Sequence, residues 1–101
     1  VAKVITVSRI KKDPNNIIYK IEGQLFFVSK IYFLQGFDTF EHPNKVTIDL
    51  SKAHIWDQSG VIALDQIIRK FKKGGSNVEI IGLNEESLNL FERLGGIETS
   101  H

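Results

Sequence analysis

The carboxylates, hydroxyls and imidazoles of this chain are few enough to weigh one at a time. Asp49 lies in Val46-Thr47-Ile48-Asp49-Leu50-Ser51, and Asp57 in Ile55-Trp56-Asp57-Gln58-Ser59-Gly60. A carboxylate at a strand end and another in the loop that follows are residue types that serve acid–base chemistry or hold Mg²⁺. No nucleophile or basic partner is marked beside them, so the chain is expected not to be an enzyme. Ser59 has two readings. As a helix N-cap its hydroxyl accepts a backbone N–H, worth about 1 kcal/mol. As a phosphorylation site it would place negative charge at a helix N-terminus, which the dipole favours. The cap is the simpler assignment. Glu85-Glu86 reads as helix-start charge rather than a catalytic pair. His42, His54 and His101 are far apart with no ligand spacing, and HExxH, P-loop, GxGxxG and GxSxG patterns are missing. With no cysteine there is no disulfide, thiolate metal site or thiol nucleophile. No metal and no cofactor are expected, and Lys11-Lys12 and Lys72-Lys73 read as solvated charge.

The elements that position these groups follow from pattern. The 101 residues suffice for one domain, and 13 basic against 12 acidic residues leave a net charge of +1. That balance makes no case for nucleic acid or an anionic membrane surface. No apolar run approaches the roughly 20 residues that span a bilayer, and no signal peptide is visible. The chain starts at Val1 rather than Met, so a piece of a longer protein is expected. Val4, Ile5 and Val7 predict a first strand ending near Ile10. Residues 11–16 form a turn around Pro14, and residues 17–21 a second strand closed by Gly23. Ser29 is placed to cap a helix over residues 30–40, ended by His42-Pro43-Asn44. Residues 46–50 are the third strand. A second helix over residues 59–73 carries Val61, Leu64, Ile67, Ile68 and Phe71 on one face, with Gly74 or Gly75 as its left-handed cap. Val78, Ile80 and Ile81 make a fourth strand. Asn84 caps a third helix whose stripe is Leu88, Phe91 and Leu94. The order β-β-α-β-α-β-α implies an α/β domain: a mostly parallel four-stranded sheet with one antiparallel edge strand and packed helices.

Two apolar features exceed simple packing. At 100° per residue Ile62 falls opposite the core face of the second helix, near Trp56, Asp57 and Gln58. The pair is either a small partner surface or ordinary exposed hydrophobes. The first helix is apolar on several sides: Phe33, Phe37 and Phe40 share a face, Ile31 and Leu34 lie away from it, and Phe26 and Phe27 precede it. Such a helix is deeply buried or covered by a partner.

The set Asp49-Leu50-Ser51, Ile55-Trp56, Asp57-Gln58-Ser59-Gly60, then Gly74-Gly75 and Val78 to Asn84, resembles the STAS domain, shared by sulfate transporters and anti-sigma factor antagonists. Gly23-Gln24-Leu25-Phe26-Phe27-Val28-Ser29 looks like the G-x-L-F-F-x-S stretch of the SulP anion-transporter branch. The antagonist branch has G-x-[LI]-D there, and its phosphorylated serine follows the loop Asp directly. Here those positions hold Phe26 and Gln58, so a phospho-switch at residue 58 is chemically excluded. The resemblance implies a non-enzymatic cytosolic domain of a SulP-type sulfate or related anion transporter, on the cytoplasmic side of the cell membrane. Its implied partner is the transmembrane domain of the same transporter, with a second copy or a cytosolic protein as further partners. Trp56, Asp57, Gln58, Ser59, Gly60 and Ile62 are the expected interaction surface, and Gly23, Leu25, Phe26, Phe27 and Ser29 the family-motif segment. The alternative is a free-standing signalling protein that binds a kinase-like anti-sigma factor. Nucleotide binding at the Asp57–Gly60 helix start has no glycine-rich loop to support it.

Overall fold

The computed structural model describes residues 4–93. Its elements run β1 (Ile5–Asp13), β2 (Asn16–Leu25), α1 (Lys30–Gln35), β3 (Lys45–Ile55), α2 (Gln58–Lys73), β4 (Asn77–Ile81) and α3 (Glu85–Arg93). The four strands lie in the order β1-β2-β3-β4. β1 and β2 are antiparallel, while β2–β3 and β3–β4 are parallel. This is the sheet expected from the element order.

The hairpin is tighter than the predicted turn. Asp13 accepts hydrogen bonds from Asn15 N at 2.8 Å and Asn16 Nδ2 at 2.7 Å, and these close the connection within Pro14-Asn15. The same bonds, led by that from Asn16, hold the Asp13 carboxyl below its ordinary pKa. β2 also runs through Gly23 instead of ending there. Gly23 has φ +116°, and a Cβ would lie 2.1 Å from the Val4 carbonyl oxygen. Only glycine allows that approach, and the next residue uses it: Gln24 N donates to Val4 O at 3.0 Å.

β3, at 11 residues, is more than twice the predicted span because its alternation changes phase. Lys20 pairs with Asp49, but Glu22 pairs with Lys52, so β3 carries one extra residue at this point. The bulge moves the buried set from Val46, Ile48 and Leu50 to Ala53 and Ile55. What reads as a loop after Leu50 is therefore strand.

α1 is shorter than predicted, six residues in place of eleven, and ends at Gly36. A Cβ on Gly36 would meet the Val7 side chain at 2.5 Å, so glycine lets this turn close on β1. Ser29 gives α1 no side-chain cap. Buried, it accepts from Phe26 N at 3.1 Å and donates to Gln24 O at 2.5 Å, tying the preceding loop together. Phe33 and Phe37 enter the core. The Phe37 ring lies 4.6 Å from Tyr19 and 4.9 Å from Phe33 between centroids. Phe40 does not follow them and is exposed.

α2 matches its periodicity: Val61, Leu64, Ile67, Ile68 and Phe71 are all buried. Gly75, with φ +97°, supplies the left-handed residue after it. Asn84 Oδ1 accepts from Ser87 N at 2.8 Å, the expected cap of α3. Within α3 the core contacts are Phe91 and Ser87, not Leu88, which is exposed; Leu94 lies outside the described residues. The helices cover one face of the sheet. Ser8, Lys20, Glu22 and Glu79 mark the other face, which is open. Among the described residues no helix is long and apolar enough to cross a membrane.

Candidate functional site

β2 and β3 run parallel and finish side by side, with Leu25 opposite Ile55. The chain leaves this edge twice, through residues 26–29 and through Trp56-Asp57. The two stretches singled out in the sequence are thereby neighbours, 30 residues apart along the chain. In open α/β sheets this carboxyl-end edge is where ligands and partners meet the fold.

Asp57 joins the two exits. It is the N-cap of α2, with extended backbone at φ −150°. Oδ1 accepts from Gly60 N at 3.0 Å, and Oδ2 accepts from Phe27 N at 3.0 Å. The cap is therefore Asp57 rather than Ser59, which is already the second helical residue. Trp56 is tied on both sides of its Cα: its backbone N donates to Leu25 O at 2.9 Å, and its indole Nε1 donates to Gln24 Oε1. Gly60 is buried, and a Cβ there would sit 2.9 Å from Leu25 O and 3.0 Å from Ile55 Cγ2. Its bare backbone lets α2 start directly over the strand ends. From the other side, the buried Ser87 hydroxyl accepts from Ile55 N at 3.1 Å and docks α3.

The candidate residues thus separate into supports and surface. Leu25, Ser29 and Gly60 are buried, and Gly23 is fixed against β1. Phe26 is partly buried and meets Phe27 edge-on, 5.7 Å between ring centroids. Asp57 and Ser59 are partly buried, and Gln58 is exposed. Phe27 and Trp56 are each 66% exposed, and Ile62 is 50% exposed. Val28 and Ile31, in the residues that follow Phe27, are also exposed, at 50% and 53%. Sequence reasoning marked the apolar excess of α1 but missed Val28 and the Asp57–Phe27 bond. The available signal was topological: two parallel neighbours must release their chains at the same edge.

Asp49 takes no part. It lies inside β3, where Oδ1 accepts from Ser51 N at 2.9 Å and from Ser51 Oγ at 2.7 Å. The Ser51 hydroxyl is the main cause that holds its carboxyl below the ordinary range. Asp49 lies six rises along the strand from Ile55, about 20 Å, so it does not pair with Asp57. Among the described residues no three His, Asp or Glu side chains gather to hold a metal ion. The arrangement offers fixed aromatic and aliphatic side chains in a polar setting, suited to contact with another surface.

Comparison with known proteins gives this architecture its context. The chain matches the STAS domain over residues 8–99. A Bacillus subtilis (strain 168) protein named "Putative sulfate transporter YbaR" is 38% identical over 96 residues, covering 90% of this chain and 20% of that protein. A second, "Putative sulfate transporter YvdB" of the same organism, is 30% identical over 89 residues, covering 84% of this chain and 16% of that one. The chain spans a fifth or less of the length of these relatives. Among solved structures, an antisigma-factor antagonist STAS domain from Rhodobacter sphaeroides is 44% identical with a TM-score of 0.76, covering 81% of this chain and 90% of that one. An anti-sigma factor antagonist from Mycobacterium paratuberculosis shares the fold, with a TM-score of 0.77 at 18% identity and coverage of 94% and 81%. With its β-β-α-β-α-β-α order, mixed sheet and Asp57-capped second helix, the chain belongs to the STAS domain family.

Proposed function

We propose that this chain is a non-catalytic regulatory or assembly module of a SulP-type inorganic anion transporter, acting through protein–protein contacts on the cytoplasmic side of the membrane. The observation that carries the reading is the anchored apolar surface. Phe27 and Trp56 stand two-thirds exposed while Asp57 and Gln24 hold the segments that bear them. Order maintained around exposed rings serves recognition better than chemistry, because the rings lose little entropy on contact. The likeness to YbaR over 90% of the chain supports the transporter setting, and so does Phe26-Phe27 in the motif segment. The partner at this surface is the membrane part of the same protein, a second copy, or a cytosolic protein.

A second reading, a free-standing antagonist-like signalling protein, is favoured by the 44% identity to the Rhodobacter sphaeroides domain. Gln58, with no hydroxyl, and Phe26, with no carboxylate, stand against it. Fractionating source cells and probing with an antibody to this domain separates the two. The expected result is a membrane-bound band several times larger than the 11.5 kDa of this chain. A soluble band near that size would replace the transporter reading with the second.

A further inference from the structure

We propose that the pole opposite Trp56, formed by Phe40 and the last turn of α2, docks on an anionic lipid surface. Phe40 is 90% exposed, more than any other exposed large hydrophobic among the described residues. Its loop is firmly held. Phe40 N donates to Asp38 Oδ1 at 3.1 Å, and Asp38 N donates to the Tyr19 hydroxyl at 3.2 Å. Glu41 pairs with Arg9, and Ser76 Oγ donates to Pro43 O at 2.6 Å. His42 packs so close to Gly74 that a Cβ there would lie 2.5 Å from its Nδ1. A ring on so constrained a loop is presented to the outside.

Beside it, a shallow depression is lined by Phe40, His42, Lys70 and Lys73 with Thr39 and Gly74, and by no acidic side chain. Lysines at a helix C-terminus alone would satisfy the dipole. A protruding aromatic ring among them has no such explanation. The combination fits a bilayer boundary, where the ring enters the acyl edge and ammonium groups on apolar stems meet lipid phosphates. The two lysines of the depression outnumber the one exposed carboxylate of the Phe40 loop, Asp38, since Glu41 is paired with Arg9. A nucleic acid is a poorer match, because single strands are held by successive stacking rings and this depression has one.

The inference rests on the transporter reading and orients it. The 11 residues of β3, about 33 Å from end to end, separate the two poles. With Phe40 on the bilayer, the Phe27–Trp56 surface faces away from lipid, toward a second copy or a cytosolic protein.

The test is sedimentation of the 101-residue chain with vesicles of equal phosphatidylglycerol and phosphatidylcholine, against pure phosphatidylcholine, at low salt. Binding to the anionic vesicles alone is expected, weakening as salt rises. Phe40→Ser should lower partitioning about tenfold, and Lys70→Glu with Lys73→Glu should lower it by about fivefold or more per lysine. Trp56→Ala should bind as wild type. Each change is at an exposed side chain, and circular dichroism verifies the fold. Equal binding to both vesicle types, no binding to either, or full binding by Phe40→Ser would overturn the inference. A membrane-bound band in the fractionation with no vesicle binding defeats this inference alone. A soluble 11.5 kDa band defeats the transporter reading instead, whatever the vesicles show.

Discussion

Replacing Asp57 tests the organisation of the site most directly, because one carboxylate holds two elements. Asp57→Ala removes the cap on Gly60 N and the acceptor for Phe27 N. Loss of an N-cap costs about 1 kcal/mol. The second bond is charge-assisted, but Phe27 is exposed and water can replace the carboxylate. About 1 kcal/mol is appropriate there too. The sum, about 2 kcal/mol, corresponds to a fall in Tm of about 8–16 °C for a domain of this size. Asp57→Ser separates the two contributions. A serine hydroxyl caps Gly60 but does not also reach Phe27, so about half the loss is expected. Amide exchange gives the local signature: in Asp57→Ser the Phe27 N–H should exchange about fivefold faster while Gly60 N–H stays protected. An Asp57→Ala variant that melts with wild type, or a Phe27 amide indifferent to both substitutions, would refute the bridging role.

Gly60→Ala should destabilise by about 1–3 kcal/mol, since its Cβ would press on the Leu25 carbonyl and Ile55 side chain at 2.9 and 3.0 Å; a urea midpoint equal to wild type would contradict that contact. Trp56→Ala and Ile62→Asp, both at exposed positions, should each change stability by no more than about 0.5 kcal/mol while weakening partner contact. Loss of the cooperative melt in either would make these residues core. Ser51→Ala removes the main cause of the low Asp49 pKa. A depressed folded-state pKa gives stability above the ordinary carboxylate value of about 3.9, and that stability is lost as pH falls through the folded value. The wild type should therefore exceed Ser51→Ala in urea melts at pH 7, with the gap closing below about pH 4. A gap of the same size at pH 7 and pH 3 would exclude the linkage.

The fold was legible where local pattern and tertiary packing agree. The 16 residues of α2 carry a clean helical stripe, and every residue predicted on it is buried. β3 was legible only to Leu50, because the bulge places Ser51 and Lys52 together on the exposed side and breaks the alternation. α1 was overextended for a related reason. The Phe33 and Phe37 spacing suits a helix, but the chain turns at Gly36, whose need for glycine arises from Val7 in β1. Such a contact has no local trace. The same division applies to the site. Projection of α2 identifies Ile62 as outward, and the exposure of Trp56 agrees with the loop reading. The bond from Phe27 N to Asp57 crosses 30 residues and follows only from the parallel pairing of β2 with β3.

The two positions where this chain departs from the antagonist pattern change what the surface can do. Both Asp57 oxygens accept backbone N–H groups, so the carboxylate serves to hold structure. Gln58 next to it is exposed and carries no hydroxyl for a phosphoryl group. Phe26 replaces an acidic residue with a partly buried ring that braces Phe27 edge-on. A carboxylate there would add charge beside the α2 start and give a partner a polar feature to read. The ring instead keeps this edge apolar, with Phe27, Val28, Ile31 and Ile62 outward. A switched interface needs a group whose charge changes within reach of the partner. At the position after the loop Asp, this surface has none. Contact made by such a surface depends on apolar burial, which is nearly indifferent to salt. That low salt sensitivity would set contact at this edge apart from the salt-sensitive binding proposed for the Phe40 pole.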